Sequence, residues 1–178
     1  MVVCITQDTV LRQQMEPHFV AQLEDLGYHT ISEVAEFGPK GLSKLSEAAT
    51  YTTLYNKGVD AVLLAVLLDP SKEKINAVVK DKNNVSTFYY QRMRSYYKMQ
   101  ATEGYKKGDR KSSNLYWESL FYDLNSFEPL YSVQTRAFNA TSAEAFASYF
   151  SDAIVKSMVR NKILTKHNNT AMTPIRSF

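Results

Sequence analysis

The order of apolar runs predicts an α/β domain. A β-α-β-α-β parallel half-sheet is extended by an antiparallel β-hairpin, and a C-terminal helix packs on the sheet. Three observations predict it. Short β-branched runs alternate with helical spacing over the first 68 residues, as in parallel sheets joined by right-handed crossovers. Two β-rich runs, Leu115 to Leu124 and Leu130 to Phe138, are separated by the turn-rich string Asn125-Ser126-Phe127-Glu128-Pro129. Phe146, Phe150, Ile154 and Met158 then recur every four residues, so one helix face is apolar.

Val2 to Thr6 reads as the first strand. Asp8 and Thr9 follow as helix N-cap candidates, because their side-chain oxygens can accept from the open first-turn amides. Leu11, Met15, Phe19, Leu23 and Leu26 give the helix a buried face, and Gly27 suits its left-handed stop. Pro17 lies inside this pattern, which implies a helix starting near Gln14 or one bent at the proline. Tyr28 to Val34 reads as a second strand, followed by a loop through Phe37-Gly38-Pro39-Lys40-Gly41. A second helix is expected from Ser46 to Lys57, with Gly58 as its stop. Val59 to Leu68 is almost continuously apolar, the pattern of a strand buried on both faces. Ile75 to Lys80 is a further short strand candidate.

From Asn83 to about residue 112 no clean period appears, and a long loop or hairpin extension is expected. Beyond the hairpin, Thr141-Ser142-Ala143-Glu144 fits a capping box with Thr141 as the cap. The last helix should run to Leu164, its stripe widened by Val155 and Val159. One domain therefore spans residues 1–164, and 165–178 form a polar flexible tail.

Composition excludes several classes. The single cysteine, Cys4, permits no intrachain disulfide. The longest apolar run is half of the ~20 residues that a membrane-spanning helix needs. His18, His29 and His167 have no zinc-ligand spacing between them. There is no nucleophile elbow, dinucleotide fingerprint or phosphate loop, so no catalytic constellation and no cofactor is implied. Cys4 lies in a strand pattern and reads as a core residue. Asp8 and Asp69 both follow parallel-strand candidates, where ligands enter open α/β sheets. Together they are weak candidates for a hard cation, but capping a helix and opening a turn before Pro70 explain them more simply.

Charge is unevenly distributed. The net charge is +3, yet Lys80 to Lys111 carries nine Lys/Arg against three acids, leaving −3 on the rest. Tyrosines are interleaved with these cations. Tyr89, Tyr90, Arg92, Arg94, Tyr96, Tyr97, Lys98, Lys106 and Lys107 form a candidate contact surface. Such a mixture suits a protein partner, an anionic polymer or an envelope surface. Single-stranded nucleic acid would be bound by stacking plus phosphate neutralisation, but no recognised module accompanies these residues. Apolar residues on both faces of Tyr116 to Tyr122 fit either a second helix layer or an oligomer surface.

Several strings resemble a group of Bacteroidetes-type envelope lipoproteins of unknown function. Their domain is like that of the curli-secretion-channel lipoproteins and of the N-terminal domain of the Tol translocation protein. The matching pieces are Val2-Val3-Cys4-Ile5, Leu23-Glu24-Asp25-Leu26-Gly27-Tyr28, Gly58-Val59-Asp60-Ala61-Val62-Leu63, Glu118-Ser119-Leu120-Phe121-Tyr122-Asp123-Leu124 and the helix from Ser142 to Leu164. The hairpin turn departs from the family, where a Thr-Gly-Lys-like turn and a tryptophan are usual. Here Ser126-Phe127-Glu128-Pro129 precedes Tyr131. With no catalytic constellation in the sequence, the leading expectation is a non-enzymatic envelope domain acting through protein contacts, and the two apolar faces of the hairpin strand allow a homo-oligomer. The resemblance itself implies the fold. It also implies lipidation on a cysteine upstream of Val2, and a periplasmic or outer-membrane-attached location. Without a removed leader the location would be cytoplasmic. The resemblance carries over no catalytic residue.

Overall fold

The computed structural model describes residues 1–68, 97, 116–126, 128–136 and 140–167. In chain order they form β1 (Val2–Ile5), α1 (Thr9–Glu24), α2 (Glu33–Phe37), a 3-10 turn (Gly41–Lys44), α3 (Glu47–Asn56), β2 (Ala61–Leu68), β3 (Tyr116–Asp123), β4 (Pro129–Arg136) and α4 (Ala143–Arg160). The strands make one sheet in the order β1-β2-β3-β4. β1 and β2 are parallel, and the remaining pairs are antiparallel. The mixed α/β architecture is the expected one, with the C-terminal helix on the sheet.

Strand periodicity divides the core into two layers, because successive side chains point to opposite faces. Val2, Cys4, Leu63, Ala65 and Trp117 face α1 and α4, where they meet Phe19, Phe146, Phe150, Ile154 and Met158. Val3, Ile5, Val62, Leu64, Val66, Leu120 and Tyr122 face the other way, onto Leu42 and Leu54. The two apolar faces of β3 are thus explained by helices on both sides of the sheet. β2 is the strand buried on both faces, and Leu64 sits between Val3 and Leu120 in register. On β4 the pairing shifts between Phe121 and Tyr122, so Leu130 bulges out of the ladder and stays exposed.

Three expectations are corrected. The run from Tyr28 to Val34 forms no strand beyond one parallel bridge between Val2 and Ser32, closed by the Val2 amide donating to the Ile31 carbonyl at 2.9 Å. Helix α2 takes over at once, because Ser32 caps it by accepting from the Ala35 amide at 3.1 Å. Glu33 and Glu36 then sit in its first turn, where the helix dipole favours acids. The second correction removes one of two alternatives for α1: it does not start near Gln14 but at Thr9, next to the expected cap, and runs through Pro17. The Asp8 side chain accepts from the Leu11 amide at 3.1 Å and sets the start. Gln13, whose carbonyl loses its helical donor at the proline, is exposed, so water can replace that bond.

The third correction is at α4. Its cap is Ser142, whose Oγ accepts from the Ala145 amide at 3.0 Å, one residue later than the capping-box reading placed it. The helix stops at Arg160, and Lys162 adopts a positive φ of 60°. Val159 is 37% exposed and does not widen the stripe, although Val155 is buried. Ser142→Ala is expected to cost about 1 kcal/mol, seen as a lower urea midpoint with an unchanged slope.

Past α4 the chain folds back. The Thr165 amide donates to the Tyr28 hydroxyl at 2.9 Å, and the His167 amide to the Leu26 carbonyl at 2.8 Å. Gly27 has a φ of 90°, and a Cβ there would lie 2.8 Å from the His167 carbonyl oxygen. Glycine is therefore needed for both the turn and the close approach. The tail expected from Thr165 onward is thus held at its start, and residues 168–178 lie outside the described residues.

Candidate functional site

Among the described residues, the densest group of buried polar side chains lies between β1, α1 and α2. It is built from Arg12, Glu16 and Glu33, which are 9%, 0% and 0% exposed. Arg12 and Glu16 are one helical turn apart on α1, on the same side as Met15 and Phe19. Two charges are thereby placed in an apolar stripe, where each must find partners or carry a large desolvation cost.

Glu16 finds four. Its Oε1 accepts from the Cys4 amide at 3.0 Å and from Arg12 Nε at 3.3 Å. Its Oε2 accepts from the Ser32 hydroxyl at 2.5 Å and from the Val34 amide at 2.8 Å. This single carboxylate does two jobs. It satisfies the β1 edge beyond the one bridge to Ser32, and it holds the N-terminus of α2. The predicted second strand ends at Ser32 because a side chain from α1 occupies the position its continuation would pair with.

Each nitrogen of Arg12 is engaged as well. Its Nε serves Glu16, one terminal nitrogen donates to the Pro39 carbonyl at 2.9 Å, and the other to Glu33 Oε2 at 2.7 Å. Burial works against its charge, but Glu33 and Glu16 outweigh this and raise its pKa further. Glu33 Oε1 accepts from the Leu42 amide at 2.6 Å and from the Tyr97 hydroxyl. Burial pushes the Glu33 carboxyl above its ordinary value, and the Leu42, Tyr97 and Arg12 contacts offset only part of that. Gly41, at a φ of 50°, lets the backbone pass this carboxylate, since a Cβ there would stand 2.3 Å from Oε1.

Cys4 is fully buried, and burial, reinforced by Glu16, pushes its thiol pKa well up. A thiol held neutral is a poor nucleophile, in keeping with its reading as a core residue.

The residues singled out in the sequence fall differently. Asp8 is the cap of α1, and its own amide donates to Thr6 Oγ1 at 3.2 Å. Asp69, the other member of the candidate cation pair, lies outside the described residues. Tyr89, Tyr90, Arg92, Arg94, Tyr96, Lys98, Lys106 and Lys107 also lie outside them, as does the strand candidate Ile75 to Lys80. Tyr97 is described, and it turns inward. It is half-buried, packs against the layer containing Val3, Leu42 and Leu120, and donates to Glu33. His167 packs edge-on to Tyr28 with ring centroids 4.8 Å apart.

Among the described residues, no group of three or more His, Cys, Asp or Glu could hold a metal ion. No described helix is long and apolar enough to cross a membrane. Sequence reasoning missed Arg12, Glu16 and Glu33. The available signal was two opposite charges four residues apart inside the apolar face of α1. Compared with family models, curated proteins and solved structures, the chain matches none.

Proposed function

We propose that this chain is a non-enzymatic cell-envelope lipoprotein domain that acts through protein contacts. What supports the contact reading is how the polar groups are used. All three nitrogens of Arg12 and both carboxylate oxygens of Glu16 are engaged by the chain's own backbone and side chains, and Asp8 caps a helix. Tyrosines are prominent among the large side chains that face outward. Tyr51 and Tyr55 on α3 are 45% and 70% exposed and stack with centroids 6.1 Å apart, and Tyr149 on α4 is 68% exposed. Exposed tyrosines offer large amphipathic contact area at low entropic cost. The basic, tyrosine-rich stretch from Phe88 to Lys111 adds the same chemistry in sequence.

The envelope setting rests on the resemblance of the strand and helix strings. On that reading the domain would work in the periplasm or at the outer membrane, held by an acyl chain upstream of Val2.

The test follows the natural gene product in its own cell. Metabolic labelling with a fatty-acid probe should mark it and place it in the membrane fraction. A photo-crosslinker at Tyr55, or at Arg94, should yield one discrete protein adduct, whereas one at Lys156 should not. Absence of the acyl label would remove the lipoprotein assignment. A large thermal shift with one divalent cation, nucleotide or glycan, abolished by Asp8→Asn, would overturn the contact reading in favour of a ligand-dependent activity.

A further inference from the structure

We infer that Glu33, and not Glu16, is the carboxyl of the buried cluster that takes up a proton, and that it then exchanges hydrogen-bond roles with the Tyr97 hydroxyl. The inference stands independently of the envelope assignment.

The geometry carries it. Among the described residues one guanidinium faces two fully buried carboxylates, so the ionised cluster as described holds one uncompensated negative charge. Such a charge is expensive away from water, and adding one proton removes it. The two carboxyls differ in their capacity to accept that proton. Each carboxylate has about four lone-pair sites. At Glu16 all four are taken by donors: two backbone amides, the Ser32 hydroxyl and Arg12 Nε. Two of those are amides fixed by β1 and α2, Arg12 can only donate, and the Ser32 hydroxyl is already held as the cap of α2 by the Ala35 amide. A proton on Glu16 would displace one of them.

Glu33 has three donors, and one of them is reversible. The Leu42 amide and Arg12 can only donate. The Tyr97 hydroxyl both donates and accepts. A proton taken from water onto Oε1 can therefore point at the Tyr97 oxygen, while the Tyr97 hydrogen rotates away. Oε1 keeps the Leu42 amide, and Oε2 keeps Arg12. No scaffold bond is lost.

Among the described residues, the other groups around the carboxyl do not supply the missing positive charge. Cys4 on β1 is held neutral. Glu36, on the same helix, is exposed and paired with Lys57 at the end of α3. Lys40 and Lys44 flank the 3-10 turn with exposed side chains. The raised Glu33 pKa agrees with this reading. Its linkage sign is that of a group lifted above its unfolded value. The stabilisation is fully present below about pH 4.3 and is lost as pH rises through the higher folded-state value.

The test is an NMR titration of the intact chain, with glutamate carboxyl carbons and backbone nitrogens labelled. The wild-type amides are sufficient reporters, because Leu42 donates to Glu33 whereas Cys4 and Val34 donate to Glu16. The Leu42 amide should shift with a midpoint above the ordinary glutamate value of about 4.3. The Cys4 and Val34 amides should not follow that transition. In Tyr97→Phe the Leu42 midpoint should rise further, since the charge-assisted bond to the ionised form is worth more than the neutral bond to the protonated form that is lost with it. A Leu42 midpoint at or below the ordinary value would overturn the inference. So would Cys4 and Val34 amides that carry the transition, or a midpoint unmoved by Tyr97→Phe.

Discussion

Glu16→Ala is expected to destabilise the domain by about 3–5 kcal/mol, the usual cost of breaking a buried ion pair from one side. The carboxylate is 0% exposed and accepts from two backbone amides, one hydroxyl and one guanidinium. Deleting it leaves the Cys4 and Val34 amides without acceptors at the sheet edge and at the start of α2. It also leaves Arg12 with Glu33 and a carbonyl as its remaining partners. Urea unfolding reads the loss as a lower midpoint at an unchanged slope. Hydrogen exchange should accelerate most at Cys4 and Val34. A loss below about 1 kcal/mol, the net worth of one ordinary hydrogen bond, would mean that water enters and replaces the carboxylate.

Trp117→Ala should cost about as much, 3–5 kcal/mol, through a different mechanism. Trp117 is 2% exposed on β3, and its ring centroid lies 5.6 Å from that of Phe146 and 5.3 Å from that of Phe150. Phe146 and Phe150 in turn stack on each other 5.5 Å apart. Truncation removes buried area and leaves a cavity at the junction of sheet and α4, which rigid neighbours fill only in part. Tyr149→Ala is the control. That ring is one residue away on α4 but 68% exposed, and its loss should stay within about 0.5 kcal/mol. Equal losses at the two positions would contradict the packing described for α4.

What the sequence made legible depended on whether a signal was local. β2 could be read because Ala61 to Leu68 is apolar without interruption. α3 could be read because Ser46 and Gly58 punctuate it: Ser46 Oγ accepts from the Ala49 amide at 3.3 Å, and Gly58 has a φ of 67°. The hairpin announced itself by its turn, where Asp123 accepts from the Asn125 amide at 2.8 Å and from the Ser126 hydroxyl at 2.9 Å. The segment at Tyr28 to Val34 has strand composition, but its fate is decided by Glu16, seventeen residues before Glu33 on another element. No window around Ile31 contains that information. The cluster was hidden for the same reason. Arg12 and Glu33 are 21 positions apart, and Tyr97 is 64 positions beyond Glu33. Only the Arg12–Glu16 spacing was visible locally.

The return of the chain from α4 to Gly27 also bears on how the domain is made. Thr165 reaches Tyr28 across 137 positions, and the layer under α1 is completed by Phe150, Ile154 and Met158. A ribosome therefore delivers α1, β1 and β2 well before the helix that covers one of their faces. At about 5–20 residues per second the delay is on the order of several seconds. During that interval Val2, Phe19, Leu63 and Ala65 have no final cover. Vectorial synthesis thus leaves a nascent apolar surface for a holding chaperone, and C-terminal truncations within α4 should appear in the cell as aggregates or proteolytic fragments.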